Sequence, residues 1–275
     1  MELYDQHVHS RHSFDSKSEP AACVVRGVEQ GLAGVTFTEH FDTHPDDWPG
    51  CVYDDERYAE TIRGLREEFG DRIFVGKGIE VCYQPERMPF ILDFLRRHEF
   101  DLVVLSVHYF GGEAVYQRRN WEGIDSIEGT RRYLETLREA VRFCEALHRS
   151  EGRVFDVLGH LDVVKRYTQR FYGRHDVARF SRLIDDTLAA CVAADVTPEI
   201  NTSSLRQGVD ETMPGADVVA RYAELGGEAM SVGSDAHLVE SVGADLEIAV
   251  EMLLAAGIRE LAVFRGRERR LSLVG

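Results

Sequence analysis

The 275-residue sequence has no apolar run long enough to cross a bilayer, so a membrane-spanning role is not expected. Its first ten residues are polar and carry two histidines. They show no basic segment ahead of an apolar one, so a secretory leader is not expected either, and the cytoplasm is the expected location. Cysteine is scarce. Cys23, Cys51, Cys82, Cys144 and Cys191 make an odd count with no CxxC pair, which argues against a disulfide framework or a thiolate zinc site. Positive charge is in deficit: 32 Lys and Arg against 48 Asp and Glu leave a formal charge of −16. Such a surface repels polyanions, so neither nucleic acid nor an anionic membrane is an expected partner. A small phosphorylated ligand is not excluded, because local cations can override the global field. Walker-type and GxGxxG phosphate loops are missing; Gly76-Lys77-Gly78 leads into a strand end, not a helix. Repeats, low-complexity tracts and linkers are missing too, so residues 1–275 are expected to form one domain, with assembly into a homo-oligomer left open.

What is present is alternation of short apolar strands with amphipathic helices. Strands are expected at Leu3–His9, Val35–His40, Ile73–Val81, Leu102–Tyr109, Val154–Leu161, Thr197–Thr202 and Met230–Asp235. Helices are expected at Ala21–Gln30, Asp55–Phe69, Glu86–His98, Ser126–Arg149, Asp176–Ala194, Ala216–Leu225 and Leu246–Ala256. Gly31, Gly70 and Gly257 follow three of them, where a left-handed terminator belongs. The tail, Glu260–Leu273, reads as a closing strand followed by a solvated charged run, Arg265–Arg270. Strand–helix alternation along the whole chain implies parallel strands with right-handed crossovers, and seven or eight units suggest a barrel rather than an open sheet. Reactive groups in a barrel gather at the C-terminal ends of the strands.

The chain meets that expectation. His7 and His9 end the first strand, His40 the second, Glu80 the third, His108 the fourth, His160 the fifth, and Asp235 with His237 the seventh. The sixth ends in Asn201-Thr202-Ser203, with no strong ligand. Side chains alternate faces along a strand, so His7 and His9 share a face, as do Asp235 and His237. Six of the eleven histidines fall at strand ends. The other five, His12, His44, His98, His148 and His175, lie in loops or on helices. One histidine on a strand is usually a satisfied polar residue. So many ionisable groups gathered at one rim would be costly to bury without a cation. Mixed imidazole and carboxylate donors suit Zn²⁺, Mn²⁺ or Fe²⁺ better than Ca²⁺ or Mg²⁺. Ser-His-Asp catalysis fits poorly, since Ser10 and Ser234 sit beside histidines already committed to metal.

At these residues the chain resembles the PHP (polymerase and histidinol phosphatase) family over nearly its whole length. The motifs are HxHS (His7-Val8-His9-Ser10), TEH (Thr38-Glu39-His40), a strand-end Glu (Glu80), SVH (Ser106-Val107-His108), GH (Gly159-His160) and GSDAH (Gly233 to His237), all in order. Asp15 stands six residues after His9, where family members often have His. The resemblance implies a distorted (β/α)7 TIM-like barrel with its metal site at the C-terminal ends of the strands, holding two to three divalent transition metal ions (Zn, Mn or Fe). It allots His7, His9, Glu80 and Asp235 to a first ion, Glu80, His108 and His160 to a second, and Asp15, His40 and His237 to a third.

Within the family the chain is most similar to the histidinol-phosphatase branch, on Ser106 to Tyr109, Gly159 to Asp162 with Lys165 close behind, and Asn201 to Arg206. It departs at Ser204, where Gly is usual, and at Met213-Pro214, where Tyr-Pro is more common. The implied activity is a metal-dependent phosphomonoesterase, converting L-histidinol phosphate and water to L-histidinol and phosphate in histidine biosynthesis. Arg206, just after the sixth strand, is the expected catalytic and substrate-binding clamp on phosphate. Lys165 and Arg166, in a charged loop, are further candidates for the same phosphate contact, with Lys165 the one carried forward for substrate binding. The acidic stretches Asp42–Asp55, with Trp48 and Tyr53, and Glu113–Asp125, with Trp121, are candidates for recognising the histidinol amine and imidazole. Two other readings stand beside this one: a PHP phosphoesterase for another small ester or nucleotide, and a non-catalytic metal-binding module.

Overall fold

A computed structural model describes residues 2–44, 51 and 53–274. Seven parallel strands succeed one another in space as in sequence: β1 (Tyr4–Val8), β2 (Gly34–Phe41), β3 (Phe74–Cys82), β4 (Leu102–Ser106), β5 (Val157–Leu158), β6 (Thr197–Asn201) and β7 (Ala229–Gly233). Their burial is almost continuous rather than alternating, as strands covered on both faces require. The sheet curls until β7 returns to β1. There the ladder is reduced to one parallel bridge, Val8 to Ala236, with the His9 N–H donating to Ala236 O at 2.9 Å. Side chains complete the seam: buried Asp5 accepts from the Ser234 and Gly243 N–H groups and the Ser234 hydroxyl. The result is the distorted TIM-like barrel that the strand count suggests.

Strand β8 (Glu260–Arg265) pairs with β7 only at its first two residues, then leaves it and crosses the N-terminal mouth of the barrel. Ala262 and Phe264 plug that mouth against Leu102, Val104, Val157 and Ala229. Gln6 stitches the plug to β1, donating to Ala262 O and accepting from the Phe264 N–H. The expected closing strand is therefore a plug, and the charged run after it is largely exposed, as expected. Its second half opens β9 (Glu268–Leu273), an exposed strand paired antiparallel with β8.

The helices lie where periodicity places them, each burying one stripe. They are α1 (Pro20–Glu29), α2 (Asp55–Phe69), α3 (Met88–Arg97), α4 (Ser126–Glu151), α6 (Ser181–Ala194), α7 (Ala216–Glu224) and α8 (Leu246–Ala255). Asp54 and Asp125 cap α2 and α4, each accepting the backbone N–H three residues on. Tyr133, Leu137, Val141 and Cys144 of α4 are fully buried, as their spacing predicts. Gly31 and Gly257 take the left-handed φ of a terminator; Gly70 stays right-handed at φ −57° and does not. One helix was not expected. The stretch after His160, read as a charged loop, forms α5 (Val164–Tyr172), with Val164, Lys165 and Thr168 on its buried stripe. Among the described residues, no helix is long and apolar enough to cross a membrane.

Candidate metal centre

The C-terminal mouth of the barrel gathers every candidate ligand. His7 lies in β1 and His9 just past it. His40 and Glu80 are direct register partners on β2 and β3. His108 and His160 stand two residues beyond β4 and β5, and Asp235 and His237 follow β7. Five imidazoles form a closed circuit, His7–His9–His40–His108–His160, with successive ring centroids 5.1, 4.3, 5.5, 5.4 and 5.7 Å apart. His237 stacks on His9 at 4.3 Å.

Glu80 sits inside the circuit, fully buried. Its Oε1 lies 2.8 Å from His160 Nε2 and 3.3 Å from His108 Nε2. Its Oε2 lies 3.5 Å from both His7 Nε2 and His9 Nε2, and 3.1 Å from His40 Nδ1. Asp235 Oδ1 faces His9 Nε2 at 3.4 Å and His237 Nδ1 at 3.5 Å. At the outer edge, Asp15 Oδ2 lies 3.4 Å from His40 Nε2 and 3.1 Å from His237 Nε2.

These separations suit a cation between the atoms. Ligands about 2.0–2.1 Å from a tetrahedral Zn²⁺ stand roughly 3.4 Å from one another. Buried polar atoms normally find partners, yet His7 Nε2, His9 Nε2, His40 Nδ1 and Glu80 Oε2 converge here without a hydrogen bond. Triads able to hold an ion include His7–His9–Asp235, His7–Glu80–His160, His40–Glu80–His108 and His9–His40–His237.

The field matches. Burial alone would raise the Glu80 carboxyl, but His7, His40 and His108 outweigh it and hold it well below the ordinary range; Asp235 is held down likewise by His9, His7 and His237. Burial and the neighbouring His237 and His40 push His9 down to about 3, which keeps its imidazole neutral and able to ligate.

Supporting groups fix the ligands. His7 Nδ1 donates to Glu199 Oε1 at 2.7 Å, and His108 Nδ1 lies 3.1 Å from buried Asp42 Oδ2. Glu39 of the TEH motif is not among the close ligand contacts; it accepts from the Ser10 and Ser13 hydroxyls, and Ser13 Oγ meets His9 Nδ1 at 3.1 Å. Ser10 and Ser234 are thus bonded to Glu39 and Asp5, so neither is a free nucleophile. Asp235 takes φ 51°, a left-handed conformation stored where the chain turns its carboxylate into the site.

The mouth opens into a cavity of about 310 Å³. Besides the ligands it is lined by Phe14, Tyr116, Val163 and Tyr167 and by Arg166. Arg166 Nη2 lies 3.2 Å from Asp235 Oδ2 and 2.5 Å from Ser203 Oγ.

Of the three expected phosphate cations, Arg166 lines the cavity and the other two are placed elsewhere. Lys165 is completely buried, its ammonium shared between Asp162 and Glu211 at 2.9 Å each, and it does not line the cavity. Arg206 lies in a 3₁₀ turn, Ser203–Gln207, with its guanidinium on Asp245 at 3.0 Å and on the Ser234 carbonyl, and it does not line the cavity. Trp121 is buried in the core and donates to Val115 O; Tyr53 packs on Phe41 and Phe94; Trp48 lies outside the described residues. Glu199 was not anticipated as a site group, and Asp42 was expected only as the start of a substrate-recognising acidic stretch, whereas it lies against His108. Glu199 lies two residues before Asn201, so the period-two rule applied within β6 already turns it to the barrel interior.

Residues 5–203 match the family model described as PHP domain. The chain belongs to the PHP family. It is 27% identical over 274 residues to the histidinol-phosphatase of Lactococcus lactis subsp. lactis, covering 97% of this chain and 96% of that one. It is 24% identical over 276 residues to the histidinol-phosphatase of Bacillus subtilis, covering 91% and 99%. A crystal structure of histidinol phosphate phosphatase from L. lactis, complexed with Zn, L-histidinol and phosphate, superposes with a TM-score of 0.86 at 26% identity, over 98% of this chain and 99% of that one.

Proposed function

We propose that this PHP-family chain is a metal-dependent phosphomonoesterase that hydrolyses L-histidinol phosphate to L-histidinol and phosphate. The convergence of unpartnered buried nitrogen and carboxylate atoms at the mouth carries the metal-dependent part. The match to a structure holding Zn, L-histidinol and phosphate over almost the whole of both chains supports the substrate.

The donors fit two to three divalent ions, with Zn²⁺, Mn²⁺ and Fe²⁺ all suited to mixed imidazole and carboxylate. His7, His9, Glu80 and Asp235 would hold one, Glu80, His108 and His160 a second, and Asp15, His40 and His237 a third. Ions bound there would acidify water and neutralise charge on the phosphoryl oxygens. Arg166, the arginine beside Asp235 in the cavity, is the clamp we assign to phosphate: its planar fork can take two oxygens at once. Phe14, Tyr116, Val163 and Tyr167 form an apolar wall where the leaving alcohol would lie, keeping bulk water from it. Cys23, Cys82, Cys144 and Cys191 are buried thiols, in keeping with work in a reducing cytoplasm.

The cavity continues outward past Tyr116, Arg166 and Tyr167 to Arg170 and Gln207, which gives the second reading room: a larger phosphate ester. One experiment separates them. Phosphate release is measured from L-histidinol phosphate, sugar phosphates, mononucleotides and p-nitrophenyl phosphate after reconstitution with Zn²⁺ or Mn²⁺, with Arg166→Ala alongside. The expected result is a kcat/KM for L-histidinol phosphate well above all others. Arg166→Ala should reduce it by about 10–100-fold, the scale of a lost charge-assisted contact of about 1.5–3 kcal/mol. Equal slow turnover across the panel would sink the substrate assignment and keep the phosphoesterase.

A further inference from the structure

We propose that Glu199 is a positioning residue for the metal centre, fixing the His7 imidazole in the tautomer that presents Nε2 to a divalent ion. The proposal rests on the metal-dependent reading above. Glu199 and His7 are both buried, and Glu199 Oε1 lies 2.7 Å from His7 Nδ1. A carboxylate only accepts, so the proton in that contact belongs to Nδ1. The remaining nitrogen, Nε2, is the one without a partner, and it points between Glu80 Oε2 at 3.5 Å and Asp235 Oδ1 at 3.9 Å. A carboxylate behind an imidazole both holds the ring's orientation and makes it a stronger ligand.

The other oxygen is engaged as well. Glu199 Oε2 accepts from the His160 N–H at 2.8 Å and from Asn201 Nδ2 at 3.2 Å. One carboxylate therefore ties the side chain of one candidate ligand to the backbone of another, across β1 and β5. Room for it is cleared at β7: a Cβ on Gly233 would stand 2.5 Å from Glu199 Oε1 and 2.3 Å from His7 Cβ. The glycine of the GSDAH motif thus lets the Glu199–His7 pair exist.

The contacts also dictate what Glu199→Gln would do. Two donors claim the Oε2 side, so the amide oxygen must face them and the amide NH₂ must face His7. His7 Nδ1 would then accept, and the ring proton would move to Nε2, where it blocks an ion. The test uses full-length protein stripped with chelator and titrated with Zn²⁺ against a chromophoric competitor. Glu199→Gln is expected to melt near the stripped wild type and to bind Zn²⁺ about 10–100-fold more weakly. In the zinc-loaded wild type, ¹⁵N shifts of the His7 ring, assigned by their loss in His7→Ala, are expected to show a protonated Nδ1. This second measurement holds even if the variant fails to fold. Unchanged Zn²⁺ affinity in a folded Glu199→Gln protein, or a wild-type His7 protonated on Nε2, would overturn the proposal. No Zn²⁺ uptake by the wild type would instead overturn the metal reading beneath it.

Discussion

At the N-terminal mouth of the barrel Asp156 is as deeply buried as Glu80 at the C-terminal mouth, but its oxygens are fully occupied. The Val103 N–H and Arg267 donate to it, and Arg153 forms an ion pair with it at 3.1 Å. Neighbouring Asp101 accepts from the Lys77 and Gly266 N–H groups and from Arg66. There the buried charge is neutralised by the protein's own cations, and the pairs clasp the β8–β9 hairpin to the barrel. At the opposite mouth Glu80 and Asp235 face His7 Nε2 and His9 Nε2, and Glu80 also faces His40 Nδ1, and none of these nitrogens has a hydrogen-bond partner. An arginine–carboxylate clasp is finished once the chain folds. A histidine–carboxylate cluster with open lone pairs is finished only by a cation from outside. Buried charge alone therefore does not mark a functional site; what matters is whether the protein supplies the counter-charge.

The sharpest way to break this comparison is to neutralise one carboxylate at each mouth. Glu80→Gln is expected to cut hydrolysis of L-histidinol phosphate by on the order of 10²–10³-fold, the scale of one lost electrostatic contact to a transition state. Its far-UV circular dichroism should stay that of the wild type. Asp156→Asn should do the reverse: a loss of about 3–5 kcal/mol in urea unfolding, because Arg153 and Arg267 lose their buried partner, with kcat per folded molecule unchanged. Activity loss in Asp156→Asn without a stability loss would erase the distinction. Metal should act at one mouth only. Free Zn²⁺ at 100 times its Kd should stabilise the wild type by about 2.7 kcal/mol, and that increment should persist in Asp156→Asn but shrink in Glu80→Gln.

Much of this contrast was legible in the sequence, for a physical reason. A parallel strand places its last residues at one mouth whatever its partners are, so His7, His40, Glu80 and the positions just past β4, β5 and β7 could be placed by counting. Groups whose role depends on a distant partner could not. Lys165 reads as solvated until Asp162 and Glu211, the latter 46 residues away, are seen to enclose its ammonium. For the same reason α5 looked like a charged loop. The run Arg265–Arg270 is exposed as read, but its strand character shows only beside β8. Glu199 was missed because β6 was judged by its last residue, Asn201, rather than by every inward-facing position.

Arg206 offers the smallest and most discriminating effect. Counting along β6 places it at the ligand-bearing rim, yet its guanidinium is bound to Asp245 and to the carbonyls of Ser234 and Thr202. It thus behaves like the arginines of the other mouth, spending its charge on the protein's own oxygens. Arg206→Ala should therefore cost about 0–1 kcal/mol of stability, the scale of a partly exposed ion pair. Its effect on kcat/KM should fall well below that of Arg166→Ala, whose guanidinium lines the cavity. Thermal melts and phosphate release on the two variants side by side decide the matter. If Arg206→Ala loses more activity than Arg166→Ala at equal stability, the phosphate clamp belongs to the turn after β6, and the arginine beside Asp235 serves only to hold that carboxylate.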